Sequence, residues 1–297
     1  MNKKICPICS TIQKTIYLGL NSFRIIKCDV CGLFWGDYAD NELKEGYQRV
    51  NIKAYDRSIA VVRKKQAQFL VSHIESTRAN AKWLDIGCGP GYLINEAKCK
   101  GFDTYGIELD EIAYQKALEV TGPLHVSKER FSSKSFNGKN FEVISTINLL
   151  EHIPLDELSQ FCNAIYDRLV PNGHWTIIIP TSSGLFFRVS NYLFKKIKLP
   201  IESIIRRLWN SEYQYPHTLY FNLDNLSHLL LDHGFTIEIS QYVDDVPNST
   251  IIDRLSIDET IPKILIPLFA FGILSINLFS KLYGKTDLLY VLARKIN

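Results

Sequence analysis

Two C-x-x-C pairs open the chain, Cys6 with Cys9 and, after eighteen intervening residues, Cys28 with Cys31. Four thiolates at that spacing suit a tetrahedral zinc ion, and a closed set of four leaves no coordination position for a substrate, so the predicted zinc is structural. Seven cysteines in all, an odd number, fit metal binding in a reducing compartment better than a disulfide framework. Gly32, just after Cys31, is expected to turn the backbone sharply with its amides facing the sulfurs. Between the pairs, Ile16 to Leu20 and Phe23 to Ile26 read as a short hairpin. So small a core predicts that the metal supplies most of its folding free energy.

A second constellation lies at Lys82 to Gly91, KWLDIGCGPG. An apolar strand is followed by Gly87, Gly89 and Gly91 and then by a helical stretch, Tyr92 to Cys99. Glycines at that turn let the backbone approach a ligand closely, and the helix start presents free amides to it. Thr104 to Ile107 reads as the next strand and ends in Glu108, twenty-one residues after Gly87. A carboxylate there is placed to accept hydrogen bonds from both hydroxyls of a ribose. Asp85, inside the strand before the glycines, separates the possible ligands. It would repel a pyrophosphate, whereas a ligand bearing an ammonium and a sulfonium suits it on Coulomb grounds.

These residues resemble the class I S-adenosylmethionine (SAM)-dependent methyltransferases, whose first motif matches LDIGCGPG and whose second acidic site matches Glu108. The resemblance implies SAM as cofactor. Asp85 would orient its methionine end, the Gly87, Gly89 and Gly91 backbone would cradle it, and Glu108 would hold its ribose. Phe141 to Thr146 reads as strand four and runs into INLLEHI, residues 147 to 153; in the family such a run lies beside the donor, which places Ile147 there. Many members carry an acidic residue for the adenine amine after strand three, where this chain reads HVSKERF. Leu155 to Leu169 reads as a helix and Trp175 to Pro180 as strand five, after the turn PNGH. The implied fold class is α/β, a Rossmann-like doubly wound sheet of seven strands with the last antiparallel.

Two histidines are candidates for the base that methyl transfer often needs. His152 follows strand four, next to Glu151, at what reads as a helix start. His217 lies in YPHTLYF ahead of the helix Leu223 to His233. Its H-x-x-Y-F segment, with Tyr220 and Phe221, resembles zinc-ribbon sugar C-methyltransferases, which favours His217 as the base. Those enzymes carry a further C-terminal domain for which 297 residues leave no room. Glu151 with His152 could instead ligate a divalent ion, as proposed for quinone O-methyltransferases that resemble this stretch.

The elements that must position these groups divide as a zinc ribbon (1–36), a linker and leading helix (37–80), and a methyltransferase domain (81–297). The linker, from about Asp37 to Lys65, is rich in charge and tyrosine (Tyr38, Tyr47, Tyr55), and Gln66 to Ser76 reads as the helix. Apolar insertions are expected at about 181–215 and 243–285, after strands five and six. In the first, Leu185 to Trp209, Arg188, Lys195, Lys196, Lys198, Arg206 and Arg207 outnumber Glu202. That mixture suits a helix on an anionic membrane or a lid over a phosphorylated acceptor. In the second, Ile264 to Ser280 carries no charge, is flanked by Lys263 and Lys281, and is interrupted by Pro267, Gly272 and Asn277. It reads as a hydrophobic hairpin or interfacial helix, with burial against the core or a homodimer partner as the alternative.

A formal charge of +3 from 34 basic and 31 acidic residues argues against a global nucleic-acid or membrane field. The start MNKKICPICS lacks an apolar run of signal-peptide length, so the expected location is cytoplasmic, with peripheral contact at the inner face of the membrane. The preferred acceptor is an oxygen or carbon of a sugar, glycolipid or lipid-linked metabolite. The alternative is RNA or protein gripped by the ribbon, whose Lys3, Lys4, Lys14, Arg24 and Lys27 form no dense run and so disfavour nucleic acid.

Overall fold

A computed structural model of the chain describes residues 5–13, 15–20, 23–38, 52–74, 80–123, 125–197, 202–211, 215–244, 248–257 and 261–296. Two cysteine turns and three short strands come first: β1 (Leu18–Gly19), β2 (Phe23–Lys27) and β3 (Phe34–Tyr38). Helix α1 (Ile52–Ser72) leads into the alternating part: β4 (Lys82–Ile86), α2 (Tyr92–Cys99), β5 (Asp103–Ile107), α3 (Glu111–Thr121), β6 (Val126–Ser127), β7 (Phe141–Ile147), α4 (Leu158–Arg168) and β8 (Leu169–Pro180). The first insertion holds α5 (Leu185–Tyr192), a π-helical turn (Leu193–Ile197) and α6 (Glu202–Leu208). Then come β9 (Leu219–Tyr220), α7 (Leu223–Asp232), β10 (Phe235–Val243), α8 (Ile251–Ile257), α9 (Ile266–Leu282) and β11 (Leu288–Lys295).

The main sheet has seven strands in the order β10-β11-β8-β7-β4-β5-β6. Strands β4 to β8 are parallel, and β11 runs antiparallel to both of its neighbours. Side chains alternate across it as the period-2 pleat requires. Trp175, Ile177, Ile179, Leu289 and Val291 join the layer that α4 and α7 cover, while Trp83, Val143, Ile178 and Tyr290 face α1 and α2. Such two-sided cover is what βαβ crossovers impose on parallel strands, and it explains why these strands read as continuous apolar runs.

The N-terminal strands do not stand apart from this core. β3 pairs with β9 (Phe34↔Tyr220, Trp35↔Leu219), and Cys6, Ile26, Cys28, Leu33 and Trp35 join the α4–α7 layer. The first insertion folds over the other side of the small sheet, where Phe187, Ile205 and Trp209 pack on Phe23, Phe34 and Tyr220.

Several expectations are corrected. The leading helix begins at Ile52, not Gln66, so much of the expected linker is helical. Its buried positions Val62, Gln66, Ala67, Leu70 and Val71 make a narrow stripe, and the lysines between them face outward and hide the period. Strand five begins before the PNGH segment, because a register shift after Phe141 absorbs Pro171 to Gly173 without ending the pairing. His152 lies in a single 3-10 turn (Leu150–His152), and the helix after it starts at Leu158, not Leu155. The apolar stretch at Ile264 is neither a hairpin nor interrupted. Pro267 falls in the first turn of α9, where its missing N–H has no helical partner to lose. Lys3, Lys4, Lys14, Tyr47, Lys198 and the expected helix end at 75–76 lie outside the described residues.

Candidate active site

The glycine turn is built as its sequence demands. Gly87, Gly89 and Gly91 take φ of +71°, +52° and +85°, the left-handed region where a Cβ is disfavoured. At Gly87 a Cβ would also meet Leu149 Cδ1 at 3.2 Å. The amides of Gly87 and Cys88 both donate to the Ile107 carbonyl, 2.8 and 3.0 Å, which ties the loop to the next strand. Glu108 fixes the other side: Oε2 accepts from Gly89 N at 2.8 Å, and Oε1 from Leu109 N and Asp110 N at 2.7 and 2.8 Å. Those three bonds leave lone-pair capacity on a carboxylate that offers about four acceptor positions, so Glu108 is oriented yet still able to receive a hydroxyl.

Asp85 is buried in β4, where its Oδ1 accepts the hydroxyl proton of Ser145 at 2.6 Å. Burial pushes its carboxyl up to about 7, opposed by that hydrogen bond, raised further by Glu108 and lowered by Arg63. A buried carboxylate with no salt-bridge partner in contact among the described residues favours a positively charged ligand, since a cation at contact distance would restore the ionised form. Arg63 of α1 was not singled out from the sequence, because its stretch reads as linker. Its guanidinium faces the Asn148 side-chain amide at 2.9 and 3.1 Å, a contact satisfied with the amide turned so that its oxygen accepts, and it donates to Gln66 Oε1 at 2.9 Å. Asn148 follows Ile147 at the end of β7 with φ +48°, so a cation from outside the motif stands at the mouth of the glycine cleft. The spacing of Val62, Gln66 and Leu70 around it is the signal that would have placed it on a helix.

A cavity of about 620 Å³ adjoins this contact, with Gln66 and Phe69 of α1, Ile178 of β8, Tyr242 of β10 and Lys281 of α9 in its wall. Ile178 pairs with Ile147, and its carbonyl accepts from Asn148 N at 2.7 Å. The cavity therefore lies next to this contact through Gln66, which Arg63 bonds, and Ile178, which Asn148 bonds, while Arg63 and Asn148 themselves are not in its wall.

The two candidate histidines come together, with ring centroids 4.8 Å apart, although they are 65 residues apart in sequence. Tyr220 donates its hydroxyl proton to the Leu208 carbonyl at 2.5 Å, so it accepts from His217 Nδ1 at 3.1 Å. His217 Nε2 then accepts from Asn210 Nδ2 at 2.8 Å, and both its ring nitrogens are engaged. Burial and the adjacent His152 hold His217 well below the ordinary histidine range. His152 differs. Its Nδ1 bonds the Pro216 carbonyl at 3.1 Å, which leaves Nε2 with the lone pair of the neutral ring. Burial lowers its pKa, hydrogen bonding to the Pro216 and Tyr215 backbone opposes that, and Arg63 lowers it further.

Glu151, His152 and His217 place one ligand atom each within 4.8 Å of the others, as do the four N-terminal cysteines. The cysteines fit zinc well: the Cys6–Cys31 and Cys9–Cys28 sulfurs are 3.6 and 3.4 Å apart, against about 3.8 Å for a tetrahedron of 2.3 Å Zn–S bonds. Cys28 Sγ also accepts from Cys31 N at 3.4 Å and from Gln13 Nε2 at 3.5 Å, the amide contacts a zinc thiolate wants. The Gly32 amide is directed elsewhere than expected, to the Cys28 carbonyl at 3.0 Å, because its φ of +73° closes the turn on the backbone.

Known proteins bear on this geometry in two ways. Three solved structures share the fold: a SAM-dependent methyltransferase from Archaeoglobus fulgidus (15% identity, 82% of this chain and 100% of that one, TM-score 0.54), the Haloferax volcanii complex of the Trm112 activator with a methyltransferase (11%, 82% and 94%, 0.55), and a cyclopropane synthase from Mycobacterium tuberculosis (15%, 78% and 83%, 0.54). Among curated relatives, a ubiquinone biosynthesis O-methyltransferase of Haemophilus ducreyi is 35% identical over 33% of this chain, and one of Acinetobacter baumannii 23% identical over 54%. The chain spans 46% and 65% of their respective lengths. A sequence model described as a methyltransferase domain matches residues 50–239, from α1 through the glycine turn to β10. By that match over more than half of its length, on a class I SAM-dependent methyltransferase fold, the chain belongs to the methyltransferase domain family.

Proposed function

We propose that the chain moves the methyl group of SAM to an oxygen of a small-molecule acceptor, with a sugar, glycolipid or other lipid-linked metabolite as the preferred class. The observation that carries this reading is Arg63. It hydrogen-bonds Asn148 at the donor cleft and Gln66 in the cavity wall, and its charge reaches both Asp85 and His152. A half-open cavity beside the donor cleft, linked to Arg63 through Gln66, suits a small acceptor better than a nucleic-acid or protein surface. The O-methyltransferase names of the curated relatives point the same way.

SAM supplies an electrophilic methyl on a sulfonium. Asp85 would meet the donor's positive end, Arg63 its carboxylate, Glu108 its ribose, and the Gly87–Gly91 backbone would lie along it, with Ile147 beside the methyl-bearing end. His152 Nε2 would take the acceptor's hydroxyl proton as the new C–O bond forms and the S–CH3 bond breaks. His217 would hold the rings in place unless Asn210 swings off its Nε2. Zinc on Cys6, Cys9, Cys28 and Cys31 would be structural, bracing β3 and through it β9.

The test is incubation with methyl-labelled donor and an extract separated into lipid, small-molecule, nucleic-acid and protein fractions. Label in the lipid or small-molecule fraction supports the proposal, and label confined to RNA or protein refutes it.

A further inference from the structure

Helix α9 is oriented the wrong way for a helix on a water-facing surface. Its inner face (Ala270, with Ile266, Phe269, Ile273 and Leu274 around it) packs on Ile251 and Leu255 of α8. Its outer face is apolar as well. Ile264, in the 3-10 turn Lys263–Leu265 that leads into α9, and Leu268, Phe271, Leu278 and Leu282 follow one another at spacings of four, three, seven and four residues, which makes one stripe. They are 86%, 68%, 71%, 59% and 74% exposed. A row of five large apolar side chains in water is a binding surface that has no occupant among the described residues.

Charge indicates the occupant. Along the stripe itself, residues 260 to 286, the charges are Lys263, Lys281 and Lys285, with Asp258, Glu259 and Asp287 just outside it. Lys281 also pairs with Asp244 at 2.8 Å, so within the stripe Lys263 and Lys285 are the cations at its two ends. Helix α5 packs against α9 and adds the exposed Arg188. A second copy laid antiparallel on the stripe would set lysine against lysine at both ends, whereas anionic headgroups would neutralise them.

The topology decides how the helix meets lipid. Lys263–Leu282 is long and apolar enough to cross a bilayer, about 30 Å at 1.5 Å per residue. Yet Val243, which leads into the insertion, and Leu288, which ends it, are directly opposed in the β10–β11 ladder. A single crossing would strand the two ends of α9 on opposite sides of the membrane. The five residues from Tyr283 to Asp287 extend over about 18 Å at most, too short to return. The inner face of α9 is also held by α8 and α5, which carry the exposed Asp253 and Arg188, so the helix lies in the plane of the interface.

We propose that α9 docks the protein on an anionic lipid bilayer, its apolar stripe among the acyl chains and its terminal lysines among the headgroups. Docking places Lys281, which lines the acceptor cavity, at the lipid surface, so an acceptor dissolved in the bilayer reaches the donor cleft from the membrane side. The docking stands on the surface of α9 alone, and only this route into the cavity rests on the methyl-transfer reading.

The experiment is sedimentation of the full chain with phosphatidylcholine vesicles, with and without phosphatidylglycerol, at low and high salt, for the wild type and for Phe271→Glu and Leu278→Glu. The expected result is binding that needs phosphatidylglycerol, weakens with salt and falls at least about tenfold in each variant, the scale of one apolar side chain kept out of lipid. Calorimetric SAM binding should be unchanged in the variants, which separates failure of docking from failure of the donor site. No binding to phosphatidylglycerol vesicles overturns the proposal, as does binding that both variants retain. A solution dimer that either substitution dissolves, without vesicle binding by the wild type, assigns the stripe to a second copy and overturns it too.

Discussion

Replacing Asp85 by asparagine should make the free protein more stable and leave it unable to hold the donor. The carboxyl is fully buried, and its pKa of about 7 stands above the 3.8 of an ordinary aspartate. Between those values the folded chain holds a proton that the unfolded chain has lost, so ionising Asp85 costs stability as pH rises from 4 to 7. At 1.36 kcal/mol per pKa unit the cost is under about 1 kcal/mol at pH 4 and levels off near about 4 kcal/mol above pH 7. Asparagine keeps an oxygen to accept from Ser145 and removes the charge. The gain in melting temperature should therefore be small at pH 4 and about 8–16 °C at pH 8, at roughly 2–4 °C per kcal/mol. Thermal unfolding from pH 4 to 8 measures it, and titration calorimetry with SAM at pH 8 should show binding weakened at least about tenfold, the loss of one charge-assisted contact. An asparagine variant less stable than wild type at pH 8, or one that binds SAM as tightly, would refute this account of Asp85.

Other expectations follow from the same geometry. His152→Asn should lower kcat by about 10²- to 10⁴-fold, with the acid limb of the wild-type pH profile lying below the ordinary histidine value of about 6.5; an equal loss and an unshifted limb in His217→Asn alone would transfer the base role. Arg63→Met should raise KM for the donor by about 10- to 100-fold, the worth of a charge-assisted hydrogen bond, and a variant with normal donor binding removes Arg63 from the site. Removing metal with a chelator should release about one zinc per chain and alter the environment of Trp35, read by fluorescence. A chain without zinc whose fluorescence and unfolding are unaltered rules out the structural ion.

How far the sequence led depended on how local the signal was. Asp85, the three glycines and Glu108 lie within one strand-turn-helix-strand unit, where spacing translates directly into geometry. Arg63 reaches the same cleft from a helix whose basic face concealed it, and Asn148 does so through a positive φ that composition does not encode. The pairing of β3 with β9 joins Phe34 to Tyr220 across most of the chain, so no local pattern could have foretold that the cysteine module and the His217 segment share a sheet. His217 was recognised as a candidate by its type and its neighbours Tyr220 and Phe221. That Asn210 and Tyr220 occupy both its nitrogens follows only from the first insertion folding back over the small sheet.

That pairing also sets a timetable for synthesis. Phe34 is made 186 residues before Tyr220, its partner in the ladder, and at about 5–20 residues per second β3 waits roughly 10 to 40 s for β9 to emerge. A zinc ion bound to the four cysteines during that interval would keep the first-made segment in shape while its edge stands open. The ion's most consequential task would then fall before the enzyme is complete, as a guard on a nascent strand.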